Sequence, residues 1–176
     1  MRFIETPIRD LWEIELEPRG DSRGFFARVF CRKIFQERGL VGSFVQVNNS
    51  LSTGKATLRG MHYQLPPAAE TKLVRCIRGQ VWDCALDLRP ESPTFGKWHA
   101  CVLADDNRKM LYIPKGFAHG FISLTEDSEL LYMVDEYYSP EQERGIRWDD
   151  PRFAIEWPLP PSVISDRDRS HPDYGS

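Results

Sequence analysis

The chain has 176 residues, of which 41% are apolar, and this size and composition can fill the core of one domain. We therefore expect a single domain over residues 1–176. The formal net charge is −3, which excludes a general positive field for nucleic acid and requires a local cationic cluster for any anionic ligand.

The first ten residues carry four charged side chains, which excludes the apolar core of a secretion signal. No apolar run in the sequence reaches the length that a membrane helix needs. We therefore expect a cytoplasmic protein with neither a membrane nor a nucleic acid as partner.

Thirteen prolines leave only short segments between breaks, which favours strands over long helices. Residues 31–40, CRKIFQERGL, have loosely helical apolar spacing and predict one short helix. Residues 72–88 predict two strands that form a hairpin around Arg78, Gly79 and Gln80. Further strands of an antiparallel sandwich or barrel are predicted at residues 44–52, 98–104, 109–114 and 129–138.

The most specific local motif is PKGFAH at residues 114–119, because PxGxxH is the second sequence motif of cupin barrels. It predicts an all-β fold, a cupin-type antiparallel β-barrel or jelly roll with a few short helices. The first cupin motif supplies two His and a Glu to a metal, but residues 59–64 read RGMHYQ, with Gln64 at the second His position. Lys72 lies where the acid is expected, and Glu70 is the only nearby carboxylate. A cation beside the site opposes a divalent ion, so we expect a pocket without a metal.

His62 has a side chain suited to acid–base chemistry, because imidazole titrates near neutral pH. A catalytic imidazole needs an orienting carboxylate on its other ring nitrogen. The sequence leaves four candidates for that partner, which are Asp83, Asp87, Asp166 and Asp168. Alternatively, His62 is a core residue that hydrogen-bonds to a backbone carbonyl. Two of the four acids lie in the polar tail from residue 165, which is either disordered or a cap over a barrel mouth.

Several cationic side chains suit phosphate, since Arg can bind phosphate oxygens through two parallel hydrogen bonds. The candidates are Arg23 and Arg59, with Lys72, Arg75 and Arg167 as further possibilities. Any single one of them could simply be solvated at the surface. Gln46 and Asn48 alternate on one predicted strand and can hydrogen-bond a base or a sugar from the same face, although either could instead pair with backbone inside a polar barrel. Tyr132 lies in another strand and carries a phenol that can donate a proton, although an ordinary wall tyrosine also fits the pattern.

Six motifs resemble the dTDP-4-dehydrorhamnose 3,5-epimerase family in order and spacing, over about residues 3–168. They are DSRGFFARVF, LRGMHYQ, SPTFGKW, IPKGFAHGF, IRWDDP and ISDRD. The resemblance implies that His62 is a base paired with Asp168, and that Tyr132 supplies a proton from the opposite face of a sugar. It also implies that Lys72, with His119 nearby, stabilises an enolate oxygen.

The same resemblance implies a nucleotide-diphosphate sugar as substrate, no metal or other cofactor, and a homodimer. The amino-terminal strands would pair across subunits, so that Arg23 serves the site of the neighbouring chain. The residues implied to line the nucleotide and diphosphate region are Arg23, Gln46, Asn48, Arg59 and Arg167.

Three residues depart from the family pattern. Arg28 replaces a Glu in the DxRGxFxExF motif, which reverses the charge at a position associated with nucleotide contact. Arg167 replaces a Lys, which keeps the charge and changes its geometry. Met133 replaces a Lys after Tyr132 and is expected to alter the sugar pocket. We therefore expect the proton-transfer residues to act as in the family while the nucleotide or the sugar differs.

Together these residues predict an epimerase that inverts C3, C5 or both in a dTDP-4-keto-6-deoxyhexose-type substrate. A related epimerase acting at one carbon, or a 3,4-ketoisomerase acting on another nucleotide sugar, remains open. A metal-dependent cupin oxygenase is opposed by Gln64 and Lys72. A non-catalytic binding module for nucleotide sugars is opposed by His62, Asp168 and Tyr132.

Overall fold

The computed structural model describes residues 1–175 and consists mainly of strands. The strands are β1 (Arg2–Glu5), β2 (Trp12–Glu15), β3 (Arg19–Asp21), β4 (Gly24–Phe26), β5 (Gln46–Ser52), β6 (Thr57–Gln64), β7 (Lys72–Arg78), β8 (Gln80–Asp87), β9 (Trp98–Ala104), β10 (Met110–Ile113), β11 (Phe117–Ser123), β12 (Ser128–Val134), β13 (Glu143–Gly145) and β14 (Val163–Ile164). The two helices in this part of the chain are α1 (Arg32–Gln36) and α2 (Asp166–Arg169). Neither is long or apolar enough to cross a membrane.

Two large sheets pack face to face. The first has the strand order β1-β2-β10-β7-β12-β5, and the second has the order β13-β6-β11-β8-β9, with β14 added parallel to β6. Strands β3 and β4 form a separate small hairpin. Side chains from both inner faces, such as Val74, Leu111, Val81 and Phe121, meet in one apolar cluster. The prediction of an all-β antiparallel fold with a few short helices is confirmed.

The strands on either side of Gly79 are correctly predicted, but the hairpin between them is wrong. β7 pairs with β10 and β12, whereas β8 pairs with β9 and β11 in the other sheet. Both strands direct alternate apolar side chains, such as Val74 and Val81, into the core between the sheets. Gly79 has a φ of +69° and turns the chain from one sheet to the other. Alternation reports that one face of a strand is buried, and it does not report which strand lies beside it.

The predicted helix at residues 31–40 is present but shorter, since α1 ends at Gln36. Gly39 follows with a φ of +70°, and the Leu40 amide donates to the Phe35 carbonyl at 3.0 Å, which closes the helix end. Phe35 is fully buried and packs with Leu73 and Tyr112 of the first sheet. The helix therefore covers the outer face of that sheet.

The polar tail is an ordered cap rather than a disordered segment. The Ser165 hydroxyl accepts a hydrogen bond from the Asp168 amide at 3.0 Å and caps α2. Further along, the Tyr174 amide donates to Asp150 at 2.7 Å, and the Tyr174 ring packs on Phe153. Ser176 lies outside the described residues.

The SPTFGKW motif has a structural role around Asp87, at the end of β8. This carboxylate is fully buried and accepts hydrogen bonds of 2.6–2.9 Å from the side chains of Arg89, Ser92 and Thr94. Burial by itself would raise the pKa of Asp87, but these hydrogen bonds outweigh it and hold the pKa below its usual value. The ionised carboxylate therefore organises the loop that follows β8.

Replacing Asp87 should destabilise the fold in a pH-dependent way. Asp87→Asn should lower the free energy of unfolding at pH 7 by about 3 kcal/mol, because Arg89 loses its buried partner. The folded-state pKa is depressed, so the stabilisation is present above the unfolded-state pKa of about 4 and is lost as the pH falls through the folded-state pKa. Chemical denaturation at several pH values measures this.

The difference in the free energy of unfolding between Asp87→Asn and the wild type should become smaller as the pH is lowered. Asp106→Asn changes an exposed carboxylate and serves as the control, with stability close to that of the wild type. If Asp87→Asn lost the same free energy of unfolding at every pH, this would contradict the role assigned to the charge of Asp87.

Candidate active site

A cavity of about 480 Å³ lies between the two sheets and reaches the carboxy-terminal cap. Predicted site residues that line it are Arg59, His62, Lys72, His119, Tyr132, Arg167 and Asp168. A smaller cavity of about 150 Å³ shares His62, Lys72 and Tyr132 with the first and adds Gln46 and Asn48. The fold therefore brings most of the predicted site residues together.

Three cationic candidates lie elsewhere. Arg23 is highly exposed beside the β3–β4 hairpin, where its guanidinium pairs with Asp21 at 2.5 Å. Arg28 lines a different surface cavity near Phe26. Arg75 is adjacent to Val74, which faces the core, so its side chain points away from the cavity. Within one chain, Arg23 and Arg28 are therefore not part of this site.

His62 and Asp168 form a dyad. The Nε2 atom of His62, on β6, lies 2.7 Å from Oδ1 of Asp168, on α2. The second carboxylate oxygen, Oδ2, accepts a hydrogen bond of 3.2 Å from the Gly60 amide. Burial by itself would raise the pKa of Asp168, but the hydrogen bond and charge of His62 and the Gly60 amide hold the pKa below its usual value.

The choice among the four candidate acids follows from where the chain carries them. Asp83 is fully buried and pairs with His119. Its carboxylate oxygens lie 2.9 and 3.0 Å from Nε2 of His119. Asp87 holds the loop after β8, and Asp166 is exposed. Asp168 reaches His62 because β14 pairs with the start of β6 and leads directly into α2.

The dyad determines the tautomer of His62. An ionised carboxylate can only accept, so Nε2 carries the ring proton and donates it to Asp168. Among residues 1–175, no protein group hydrogen-bonds to Nδ1 of His62. The ring therefore presents an unprotonated nitrogen that is free to act as a base.

Tyr132 lines the same cavity from the other sheet. It lies on β12 of the first sheet, whereas His62 lies on β6 of the second. Burial raises the pKa of its phenol, and the nearby charge of Glu70 adds to this effect while Arg59 opposes it. The phenol is therefore held in its protonated form, as a proton donor requires.

Lys72 and Gln64 occupy positions where a cupin metal site would have its ligands. The Lys72 ammonium lies 3.1 Å from Glu70, and both side chains are largely buried. The Gln64 amide donates to the Ala68 carbonyl at 2.8 Å and accepts from the Ser139 amide at 2.7 Å. Gln64 therefore braces two loops, and Lys72 forms an ion pair with Glu70. This donor set does not suit a divalent cation.

The two arginines that line the cavity, Arg59 and Arg167, differ in how their charges are paired. Arg167 pairs with Glu143 at 2.5 Å. Arg59 instead donates to the Ser52 hydroxyl and the Leu51 carbonyl, and within residues 1–175 it has no carboxylate partner. It is therefore the cation in this cavity whose charge is best able to attract an anion.

The sequence analysis missed His171, which lies against the dyad. Its Nε2 atom is 3.6 Å from Oδ1 of Asp168, and its ring centroid is 5.8 Å from that of His62. Burial lowers the pKa of His171, and the neighbouring His62 lowers it further. His171 lies two residues beyond the end of α2, in a polar tail with no periodic pattern, so no sequence signal marked it.

The expectation that Met133 alters the sugar pocket is wrong. Met133 packs with Leu73 and Tyr112 on the outer face of the first sheet. It follows Tyr132 on the same strand, so the two side chains point to opposite faces. The departure at Met133 therefore changes the packing beneath α1 and does not change the cavity.

A His–Asp dyad and a phenol line one cavity from opposite walls, which defines an enzyme of acid–base chemistry. A family model described as dTDP-4-dehydrorhamnose 3,5-epimerase matches residues 5–175. The dTDP-4-dehydrorhamnose 3,5-epimerase of Shigella flexneri is 48% identical over 169 residues, which are 96% of this chain and 93% of the relative. The chain belongs to the dTDP-4-dehydrorhamnose 3,5-epimerase family, and thus to the isomerases.

Solved structures agree with this assignment and with the cupin-type fold. The dTDP-4-dehydrorhamnose 3,5-epimerase from Bacillus anthracis, with TDP and PPi bound, has a TM-score of 0.94 and 42% identity, covering 98% of each chain. The dTDP-6-deoxy-D-glucose-3,5-epimerase from Legionella pneumophila, in complex with dTDP-4-keto-L-rhamnose, has a TM-score of 0.91 and 42% identity. That match covers 97% of this chain and 90% of the other.

Replacing Asp168 by Asn should reverse the tautomer of His62. The Asn oxygen stays with the Gly60 amide, so its NH₂ group faces Nε2 and can only donate to it. The ring proton then moves to Nδ1, and the cavity loses its base. Nitrogen NMR of histidine-labelled protein distinguishes the two tautomers.

The matched control is Asp166→Asn, which changes an exposed carboxylate two residues away and should keep the wild-type tautomer. Ring-nitrogen shifts in Asp168→Asn equal to those of the wild type would contradict the tautomer assigned here.

Proposed function

We propose that the chain is a cytoplasmic, homodimeric epimerase that inverts C3 and C5 of a dTDP-4-keto-6-deoxyhexose. The observation that carries the proposal is that His62, oriented by Asp168, and Tyr132 line one cavity from opposite sheets. Similar proteins support the substrate class, since one structure contains TDP and another contains dTDP-4-keto-L-rhamnose.

The chemistry follows from the positions of these groups. A 4-keto group acidifies the hydrogens on C3 and C5, and Nδ1 of His62 removes one of them to leave an enolate. Tyr132 returns a proton to the same carbon from the opposite face, which inverts it. His62 then loses its proton and Tyr132 regains one before the second carbon reacts. Lys72, with His119 nearby, stabilises the negative charge that develops on the enolate oxygen.

Arg59 and Arg167 are the proposed diphosphate ligands. Arg59 has no carboxylate partner among the described residues, whereas a diphosphate would compete with Glu143 for Arg167. Gln46 and Asn48 lie beside the sugar region of the cavity and are proposed to hydrogen-bond the nucleotide or sugar. The effect of Arg28 on the choice of nucleotide stays a prediction.

The homodimer is supported by apolar side chains that are exposed at two places, on the separate hairpin strand β4 and on the edge strand β5 of the first sheet. Phe25 and Phe26 are 51% and 66% exposed on β4. Val47 and Leu51, on the edge strand β5, are 62% and 45% exposed. An unpaired edge with exposed apolar side chains is a surface that a second chain can cover. As the resemblance implies, the partner's Arg23 is proposed to reach the cavity in such a dimer.

Hydrogen exchange in heavy water tests the chemistry. Incubation of dTDP-4-keto-6-deoxyglucose with the wild type should place deuterium at both C3 and C5, as NMR of the product reports. His62→Ala should lower the exchange rate at both carbons by about 10²–10⁴-fold, because the base is lost. Tyr132→Phe should retain exchange by His62 but lose inversion.

Tyr137→Phe removes an exposed phenol and serves as the matched control, with both activities unchanged. Deuterium at one carbon only would support the single-carbon epimerase instead, and a migrated carbonyl would support the 3,4-ketoisomerase. Unchanged exchange in His62→Ala would refute the assigned base.

Mixing two inactive variants tests the contribution of Arg23 across subunits. Arg23→Ala and His62→Ala homodimers should each be impaired, but a mixed dimer contains one cavity with His62 and the partner's intact Arg23. After unfolding and refolding together, random pairing should restore about a quarter of the wild-type sites. Lack of restoration, with dimers confirmed by light scattering, would show that Arg23 does not act on the partner's site.

A further inference from the structure

The unexplained group beside the dyad is His171. The proposed chemistry uses His62, Asp168 and Tyr132 and leaves this imidazole without a task. Its Nε2 atom is buried and has no hydrogen-bond partner within residues 1–175. A buried polar atom without a partner lowers stability, so such an atom in a native fold calls for a ligand, a water or a function.

We propose that His62, Asp168 and His171 form a binding site for a divalent transition-metal ion such as Zn²⁺, and that the bound ion inhibits the dyad. One ligand atom from each residue lies within 4.8 Å of the other two. Oδ1 of Asp168 is 2.7 Å from Nε2 of His62 and 3.6 Å from Nε2 of His171. Two imidazoles and one carboxylate are a donor set that Zn²⁺, Co²⁺ and Ni²⁺ prefer.

The two separations that involve Asp168 require only small movements, and the third, between the two imidazoles, is within 4.8 Å. A tetrahedral ion with ligands at about 2.1 Å separates its ligand atoms by about 3.4 Å. The His171 distance already matches this value, and the His62 distance must open by about 0.7 Å. The fourth position would be left for water or for a ligand in the cavity.

The surrounding structure holds His171 in place. Its ring lies over Gly145 of β13, where an added Cβ atom would overlap the imidazole. The chain is anchored before His171 by the Ser165 cap and after it by the Tyr174 amide bonded to Asp150. A ligand that is already ordered binds a metal without losing much conformational entropy.

This site differs from the ordinary metal cage of a cupin barrel. That cage would use the positions of Gln64 and His119, but Gln64 braces the backbone and His119 pairs with Asp83. His171 comes from the carboxy-terminal cap instead. His62 is thus the residue that both arrangements share.

Inhibition follows from the proposed function and rests on it. A metal on Nε2 of His62 takes the lone pair of that nitrogen, so the ring proton must reside on Nδ1. No net proton is lost, but the nitrogen that faces the substrate can no longer accept one. Metal binding and proton abstraction therefore exclude each other.

Titration calorimetry with Zn²⁺, and visible absorbance with Co²⁺, test the site on the full chain without a histidine tag after treatment with a chelator. The wild type should bind one ion per chain. His171→Ala should weaken this binding at least about tenfold, because a ligand is lost. Gly145→Ala should weaken it as well, because the added methyl group displaces the ring while all three ligands remain.

His99→Gln is the matched control, since it removes an imidazole that pairs with Glu13 elsewhere. It should bind Zn²⁺ as the wild type does. With the activity of each variant in metal-free buffer as its own reference, inhibition by Zn²⁺ should be largely lost in His171→Ala and retained in His99→Gln. The binding measurements do not depend on turnover, so they decide the metal site even if the proposed function fails.

Two results would overturn the site: no stoichiometric Zn²⁺ binding by the wild type, or equal binding by His171→Ala and the wild type. The first would leave His171 as a packing residue that bonds to water, and the second would place the ion on other ligands. Zn²⁺ binding that requires His171 but leaves turnover unchanged would overturn the inhibition.

Discussion

The short parallel pairing of β14 with β6 is the interaction on which the site depends. Val163 and Ile164 pair with Thr57 and Leu58, which anchors the chain four residues before Asp168. The Ser165 hydroxyl then caps α2, and the carboxylate meets the end of β6. Without this pairing, a single hydrogen bond to His62 would have to order the whole segment, which costs about 1–2 kcal/mol per residue in backbone entropy.

The second constraint is that the proposed base, His62, and the proposed proton donor, Tyr132, lie on different sheets. Inversion of a carbon needs groups on opposite faces of a sugar, and two packed sheets provide two rigid walls. The apolar cluster around Val74 and Phe121 fixes their separation. The crossover at Gly79 therefore matters for the site, since it connects the sheet of Tyr132 to the sheet of His62.

Charge pairing leaves the cavity suited to the proposed anionic substrate without a large positive field. Lys72 faces Glu70, Arg167 faces Glu143 and His119 faces Asp83. Arg59 bonds only to neutral groups among the described residues, so it offers the least compensated positive charge. This arrangement agrees with a chain whose net charge is −3, because a local cation is enough to hold a diphosphate.

Local pattern predicted the strands and the short helix, because alternation and apolar spacing depend on near neighbours along the chain. Comparison with the cupin motifs pointed to His62 and Gln64, whose roles stay predictions. Resemblance to a family then singled out Asp168 from four candidate acids and Tyr132 as the proton donor. Only the tertiary structure decided that β7 and β8 belong to different sheets and that His171 lies against the dyad. These outcomes depend on contacts between residues far apart in sequence, or on a tail with no periodicity, and local pattern contains neither.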